Sequence, residues 1–165
     1  MNVSQVVFII LGLVTLAGAA GVVLKRNLFH SALFLVLSFV GVAGLYILLE
    51  AEFLAMIQLL VYVGAISILI IFAVMLSRNM MSPDFQARNR DWGLGVFVAG
   101  GLLGVLVIIL LRVKWPVVDS TLPTGMVGKL GEALVSPAQF ALPFEVASIL
   151  LLVALVGAVI IAREK

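Results

Sequence analysis

Apolar residues arrive along this chain in five long runs, and polar positions are confined almost entirely to the stretches between them. A bilayer-crossing helix needs roughly 20 mostly apolar residues. Hydrocarbon offers the backbone no water, so a run of that length must satisfy its N–H and C=O groups internally, as a helix. The pattern predicts helices at about 3–24, 28–49, 53–77, 92–113 and 142–162. Together they make one all-α integral membrane domain over 1–165. The first run contains Ala17-Gly18-Ala19, which has the small residues of a signal-peptidase site, but no positive charge precedes it in Met1 to Gln5 and Lys25-Arg26 follows it. It reads as a retained helix. Two connections differ from the rest. The stretch from Arg78 to Asp91 is polar and carries Pro83, whereas residues 114–141 are broken by Pro116, Pro123 and Pro137 with Gly125, Gly128 and Gly131. The second is expected to be an external loop with a short amphipathic piece around Val127 to Val135.

Five spans place the two ends on opposite sides, and the basic residues set which is which. Lys25, Arg26, Arg78, Arg88, Arg90, Arg163 and Lys165 fall on one side, against Arg112, Lys114 and Lys129 on the other. The richer side is the cytoplasm, so the N-terminus is expected outside and the C-terminus inside a bacterial-type inner (plasma) membrane. Small residues recur at helix-packing spacing, as in Ala17 with Gly21 and in Gly100, Gly101 and Gly104, which lets helices approach closely. No internal repeat is visible, which argues against a stand-alone inverted-repeat transporter.

Composition narrows the chemistry. A hydrophobic fraction of 64% and a mean hydropathy of +1.33 leave too little polar surface to cover a soluble domain. The chain has no cysteine, so it offers no thiolate ligands for an iron–sulfur cluster. Its single histidine, His30, supplies no set of metal ligands and reads as a residue at the start of the second helix. The net charge of +2 is scattered over short loops, not gathered into a stripe, so nucleic acid is not an expected partner. Gly93-Leu94-Gly95 fails as a dinucleotide fingerprint because Val98 stands where the third glycine belongs and no strand precedes it.

The third run carries the polar feature that hydropathy alone does not explain, the block Gln58-Leu59-Leu60-Val61-Tyr62-Val63-Gly64-Ala65-Ile66. Tyr62 lies well inside the run, where a tyrosine hydroxyl needs a partner from protein or water. Gly64 costs a helix about 1 kcal/mol relative to alanine in soluble hosts. Glu50 and Glu52 lie between the second and third runs, two positions apart, so they share no helix face and form no paired acid/base site. Glu52 and Glu145 are read as charges near helix N-termini, Glu145 just after Pro143 at the start of the last helix. They rank below Tyr62 as groups for moving protons.

Several segments together carry a family resemblance. Asn27-Leu28-Phe29-His30-Ser31-Ala32-Leu33, Val42-Ala43-Gly44-Leu45-Tyr46, Ala51-Glu52-Phe53-Leu54, the block from Gln58 to Ile66, and the stretch from Leu142-Pro143-Phe144-Glu145 to Val156-Gly157-Ala158 resemble subunit J of the proton-pumping NADH:quinone oxidoreductase, respiratory complex I. The resemblance covers roughly 1–112 and 128–162 and leaves Lys114 to Met126 unmatched. It implies a five-helix membrane-arm subunit lodged beside single-carboxylate, quinone-site and antiporter-like subunits in the lipid bilayer. This chain then binds no cofactor itself, while the complex carries FMN and iron–sulfur clusters and reduces quinone. The resemblance further implies that the third helix, at Tyr62 and Gly64, switches between a π-bulge and a plain α-helix beside a proton path, with Glu52 and Glu145 as further candidates for that path. Two other assignments stay open at this point: the same role in a complex fed by ferredoxin or a deazaflavin, and an accessory subunit of a cation antiporter. Iron–sulfur clusters and quinone reduction in the purified assembly would exclude the antiporter.

Overall fold

The computed structural model describes residues 2–77, 92–113 and 125–163, and every regular element among them is helical. The order is α1 (Val3–Leu24), α2 (Leu28–Leu48), α3 (Glu52–Ile57), a π-helical segment (Gln58–Ile66), α4 (Ser67–Leu76), α5 (Trp92–Arg112), α6 (Met126–Val135) and α7 (Ala141–Ala162). Because α3, the π segment and α4 run on as one rod, five helices are long and apolar enough to cross a membrane. The chain is an all-α, multi-pass membrane protein. It divides into two units, Met1–Leu110 and Leu111–Lys165. Arg78, Arg88, Arg90, Lys114 and Lys165, half of the basic residues behind the expected orientation, lie outside the described residues, as do Pro83, Pro116 and Pro123.

In the first unit, α1 and α2 form an antiparallel hairpin. Lys25 adopts an extended backbone that ends α1. Asn27 then starts α2, its Oδ1 accepting from the backbone N–H of Phe29 at 2.9 Å and of His30 at 3.4 Å, an N-cap that satisfies two donors the helix leaves free. The two helices meet through glycines three positions apart on each, Gly18 and Gly21 on α1 and Gly41 and Gly44 on α2. A Cβ added to Gly18 would lie 2.8 Å from the Ser38 backbone nitrogen, one on Gly21 would strike the Phe34 ring, one on Gly41 the Thr15 hydroxyl, and one on Gly44 would lie 2.7 Å from Leu11 Cδ2. Lipid gives no hydrophobic drive for association between helices, so close approach of backbones does the work. The polar groups at this seam are satisfied within it: Ser38 Oγ donates to the Thr15 carbonyl at 3.1 Å, and Thr15 Oγ1 to the Leu11 carbonyl at 2.8 Å. Ala17, half of the small-residue pair expected to mediate packing, stays exposed, and Gly18 takes the contact instead.

The turn from α2 into α3 closes with a residue sequence rules would not choose. Glu50 has φ +57°, its N–H donates to the Ile47 carbonyl, and that of Ala51 to the Tyr46 carbonyl. These two bonds are the Schellman pattern, whose left-handed position is usually glycine. Beyond the turn, the third span lies against α2, with Ala43 and Ala55 buried. Along α5, by contrast, Gly100, Gly101 and Gly104 meet nothing within 4 Å of an added Cβ. In the second unit, α6 follows Gly125, whose φ of +77° suits glycine. Turn bonds from Gln139 and Ala141 N–H to the Ser136 carbonyl lead into α7.

Candidate functional site in the third span

The third span departs from an α-helix in its middle. Gln58 still follows the α pattern, its N–H shared between the carbonyls of Leu54 and Ala55. By Ser67 the ladder has slipped by one residue, and the Ser67 N–H reaches back five positions to the Tyr62 carbonyl. The same carbonyl accepts a second donor, Ser67 Oγ at 2.7 Å, which uses both of its lone pairs. Ser67 is 1% exposed, so no solvent competes for that hydroxyl.

Two side chains fasten the segment to α2 through one residue. Gln58, 7% exposed, donates from Nε2 to the Phe39 carbonyl at 3.4 Å, and the Phe39 ring meets Tyr62 edge-on, centroids 5.4 Å apart at 70°. Both contacts suit a buried polar group and an aromatic pair in a water-poor setting. Tyr62 is nevertheless 43% exposed, and among the described residues its hydroxyl has no hydrogen-bond partner. The ring is held, while the hydroxyl makes no bond to any described residue. Gly64 faces no other helix within 4 Å of an added Cβ. The atom such a Cβ meets is the Leu59 carbonyl oxygen of the same segment, at 3.3 Å.

Of the residues singled out from the sequence, Tyr62 and Gly64 fall together inside the π segment, and Glu52 is the exposed first residue of the same span. Glu145 belongs to the second unit. Since α7 begins at Ala141, no acidic residue occupies its first turn, so the dipole argument for Glu145 is weaker than its place after Pro143 suggests. The residues sequence reasoning missed are Ser67 and Phe39. Ser67 leaves a trace: it is a hydroxyl in the aliphatic stretch Ile66-Ser67-Ile68-Leu69-Ile70-Ile71. Phe39 leaves none, since its role rests on its carbonyl and on ring geometry. Among the described residues no group of His, Asp or Glu side chains is placed to hold a metal ion.

The sequence matches the family model for NADH-ubiquinone/plastoquinone oxidoreductase chain 6 over residues 18–161. The chain belongs to that family. Curated chain 6 proteins agree over nearly its whole length. NAD(P)H-quinone oxidoreductase chain 6 of Synechocystis is 40% identical, across 99% of this chain and 82% of the relative. That of Leptolyngbya boryana is 38% identical over the same shares. The chloroplastic subunit 6 of Anthoceros angustus is 39% identical, across 96% and 82%. Chain 6 is another designation of subunit J, so the family resemblance carried by the Gln58–Ile66 block stands. As a chain 6, the protein is one membrane subunit of an oxidoreductase and not the whole enzyme.

Proposed function

We propose that this chain 6 couples quinone reduction to proton movement by letting its third span cycle between the π form and a plain α-helix. The observation that supports the reading is the π-helical stretch Gln58–Ile66, in the middle of a membrane span and enclosing Tyr62 and Gly64. Such segments are rare and concentrate at functional sites. Removing the extra residue turns everything after it by about 100°, the angle per residue of an α-helix. In this mechanism α4 rotates against α2, the environment of the Tyr62 hydroxyl changes, and a water path beside it opens or dries. Both forms must lie within a few kcal/mol of each other for partner subunits to drive the exchange. Glu52 and Glu145 are secondary candidates for carrying protons to and from that path.

The complex supplies everything else. FMN and iron–sulfur clusters reside on other subunits, consistent with a chain that has no cysteine, and quinone is reduced at a site built by neighbours. Single-carboxylate, quinone-site and antiporter-like subunits flank the chain, which acts as one membrane domain over 1–165 in a bacterial-type plasma membrane, with its N-terminus outside and its C-terminus in the cytoplasm. Affinity purification of the chain from native membranes tests this assignment. It should bring down cluster-bearing soluble subunits in an assembly that reduces quinone and acidifies vesicles. A stable assembly without clusters or quinone reduction would overturn it.

A further inference from the structure

We propose that Ser67 is a positioning residue that holds the third span in its π form, through the contact of its buried hydroxyl with the Tyr62 carbonyl. The inference rests on the two-form reading above and adds a residue and a bond that weigh one form against the other. Three observations carry it. First, the two other hydroxyls that, among the described residues, bond a carbonyl within their own α-helix reach back four residues: Thr15 to Leu11 at 2.8 Å and Ser148 to Phe144 at 3.1 Å. Ser67 reaches back five, at 2.7 Å, so its hydroxyl follows the shifted ladder and marks the register. Second, the Tyr62 carbonyl takes both the backbone N–H and the hydroxyl of Ser67. In an α register that carbonyl would receive the Ile66 N–H, and the hydroxyl would have to move to Val63, the ordinary back-bond of a helical serine.

The third observation is steric. Ser67 is 1% exposed, whereas Ile68 and Leu69 beside it are exposed. Losing the π insertion while the preceding turns stay fixed would bring Ile66 into the place Ser67 now holds. A position closed around a serine would then receive a β-branched side chain with two more heavy atoms, which close-packed interiors resist. The small size of Ser67 and its hydroxyl therefore favour the same form. Each release of the π form must break the hydroxyl's bond where no water can replace it.

The test uses Ser67→Ala, which removes the donor without enlarging the side chain, and Ser148→Ala, which removes a hydroxyl bonded to the Phe144 carbonyl in another span. The chain has two tyrosines, Tyr46 and Tyr62. Tyrosine labelled at its carbonyl carbon therefore gives two isotope-shifted amide bands in infrared spectra of the full chain in phosphatidylglycerol vesicles. Tyr46, whose carbonyl accepts from the Ala51 N–H, is the internal reference. Ser67→Ala should move the Tyr62 band to higher frequency and leave that of Tyr46 in place, and Ser148→Ala should leave both as in the wild type. In the assembled complex, Ser67→Ala should change the ratio of the two forms about fivefold, as expected for one net hydrogen bond, and lower quinone-coupled turnover by up to that factor. The rate with an artificial acceptor that bypasses quinone should not move. An unmoved Tyr62 band overturns the proposal, whatever turnover does. A shifted band with unchanged turnover supports the latch and instead removes the coupling role of the third span.

Discussion

Gly64→Val separates a switching helix from a scaffold helix. A Cβ at this position would lie 3.3 Å from the Leu59 carbonyl oxygen, tighter than an ordinary contact. The carbonyl is five residues back, a separation that the wide π turn brings beneath position 64. Valine adds two γ-methyls on a stiff β-branched side chain. Overpacking of this kind costs about 1–3 kcal/mol. If it falls on the π form, a value of about 2 kcal/mol changes the ratio of the two forms about 30-fold. Since the added Cβ meets no atom of another helix within 4 Å, the subunit should still fold and assemble. Three rates measured on the same membranes decide the matter: donor oxidation with an artificial acceptor, donor oxidation with quinone, and vesicle acidification. The first should match the wild type while the other two fall more than about tenfold, with Gly64→Ala between them. A Gly64→Val complex that assembles and pumps at the wild-type rate would reduce the third span to scaffold.

Gly18→Ala should lower the melting temperature of the purified complex, because the new methyl meets the Ser38 backbone nitrogen at 2.8 Å and Cα at 2.9 Å, whereas Gly12→Ala, open to space, should not; equal melting for both would refute the glycine seam. Tyr62→Phe should change quinone-coupled turnover less than about threefold, since the ring keeps its edge contact with Phe39 and the hydroxyl that is lost has no partner among the described residues. For Glu52→Gln, pumping should remain mostly intact, because an exposed charge at a helix start is served by water; a loss beyond about tenfold, or 1.4 kcal/mol on a rate, would move Glu52 to the centre of the proton path. For orientation, a reporter fused after Lys165 should be active only in its cytoplasmic form, and Lys129→Cys should react with an impermeant reagent from outside; the reverse pattern in sealed vesicles would invert the topology.

The number of spans was legible because span length is a property of the bilayer, and a run of about 20 apolar residues has few other uses. The π form of the third span was legible only through the family resemblance, not from the hydrophobic pattern. A π turn and an α turn bury the same aliphatic side chains, and the difference lies in whether the Ser67 N–H reaches Val63 or Tyr62, a choice hydropathy does not record. Tyr62 and Gly64 stood out as a tyrosine and a glycine deep in an apolar run, whereas Ser67 is a single small hydroxyl in an aliphatic stretch, and nothing in that pattern says which carbonyl it bonds. Helix packing was half legible. Gly18, Gly21, Gly41 and Gly44 show the spacing of a seam, but so do Gly100, Gly101 and Gly104, which meet nothing within 4 Å of an added Cβ. Sequence spacing identifies a surface able to approach another helix and not the helix it meets. The left-handed Glu50 escaped for a related reason: a helix stop of this type is recognised by glycine, and here the bonds to Ile47 and Tyr46 hold a glutamate in that place.

Structures of the assembled complex frozen at rest and during quinone-coupled turnover bear most directly on the central claim. The account predicts two populations of the third span. In one, Gln58–Ile66 is π-helical with Ser67 bonded to the Tyr62 carbonyl; in the other, the helix is α throughout and the side chains from Ser67 to Leu76 are turned by about 100°. One unchanged π segment, with Ser67 on Tyr62 in every particle of the turning-over enzyme, would contradict it.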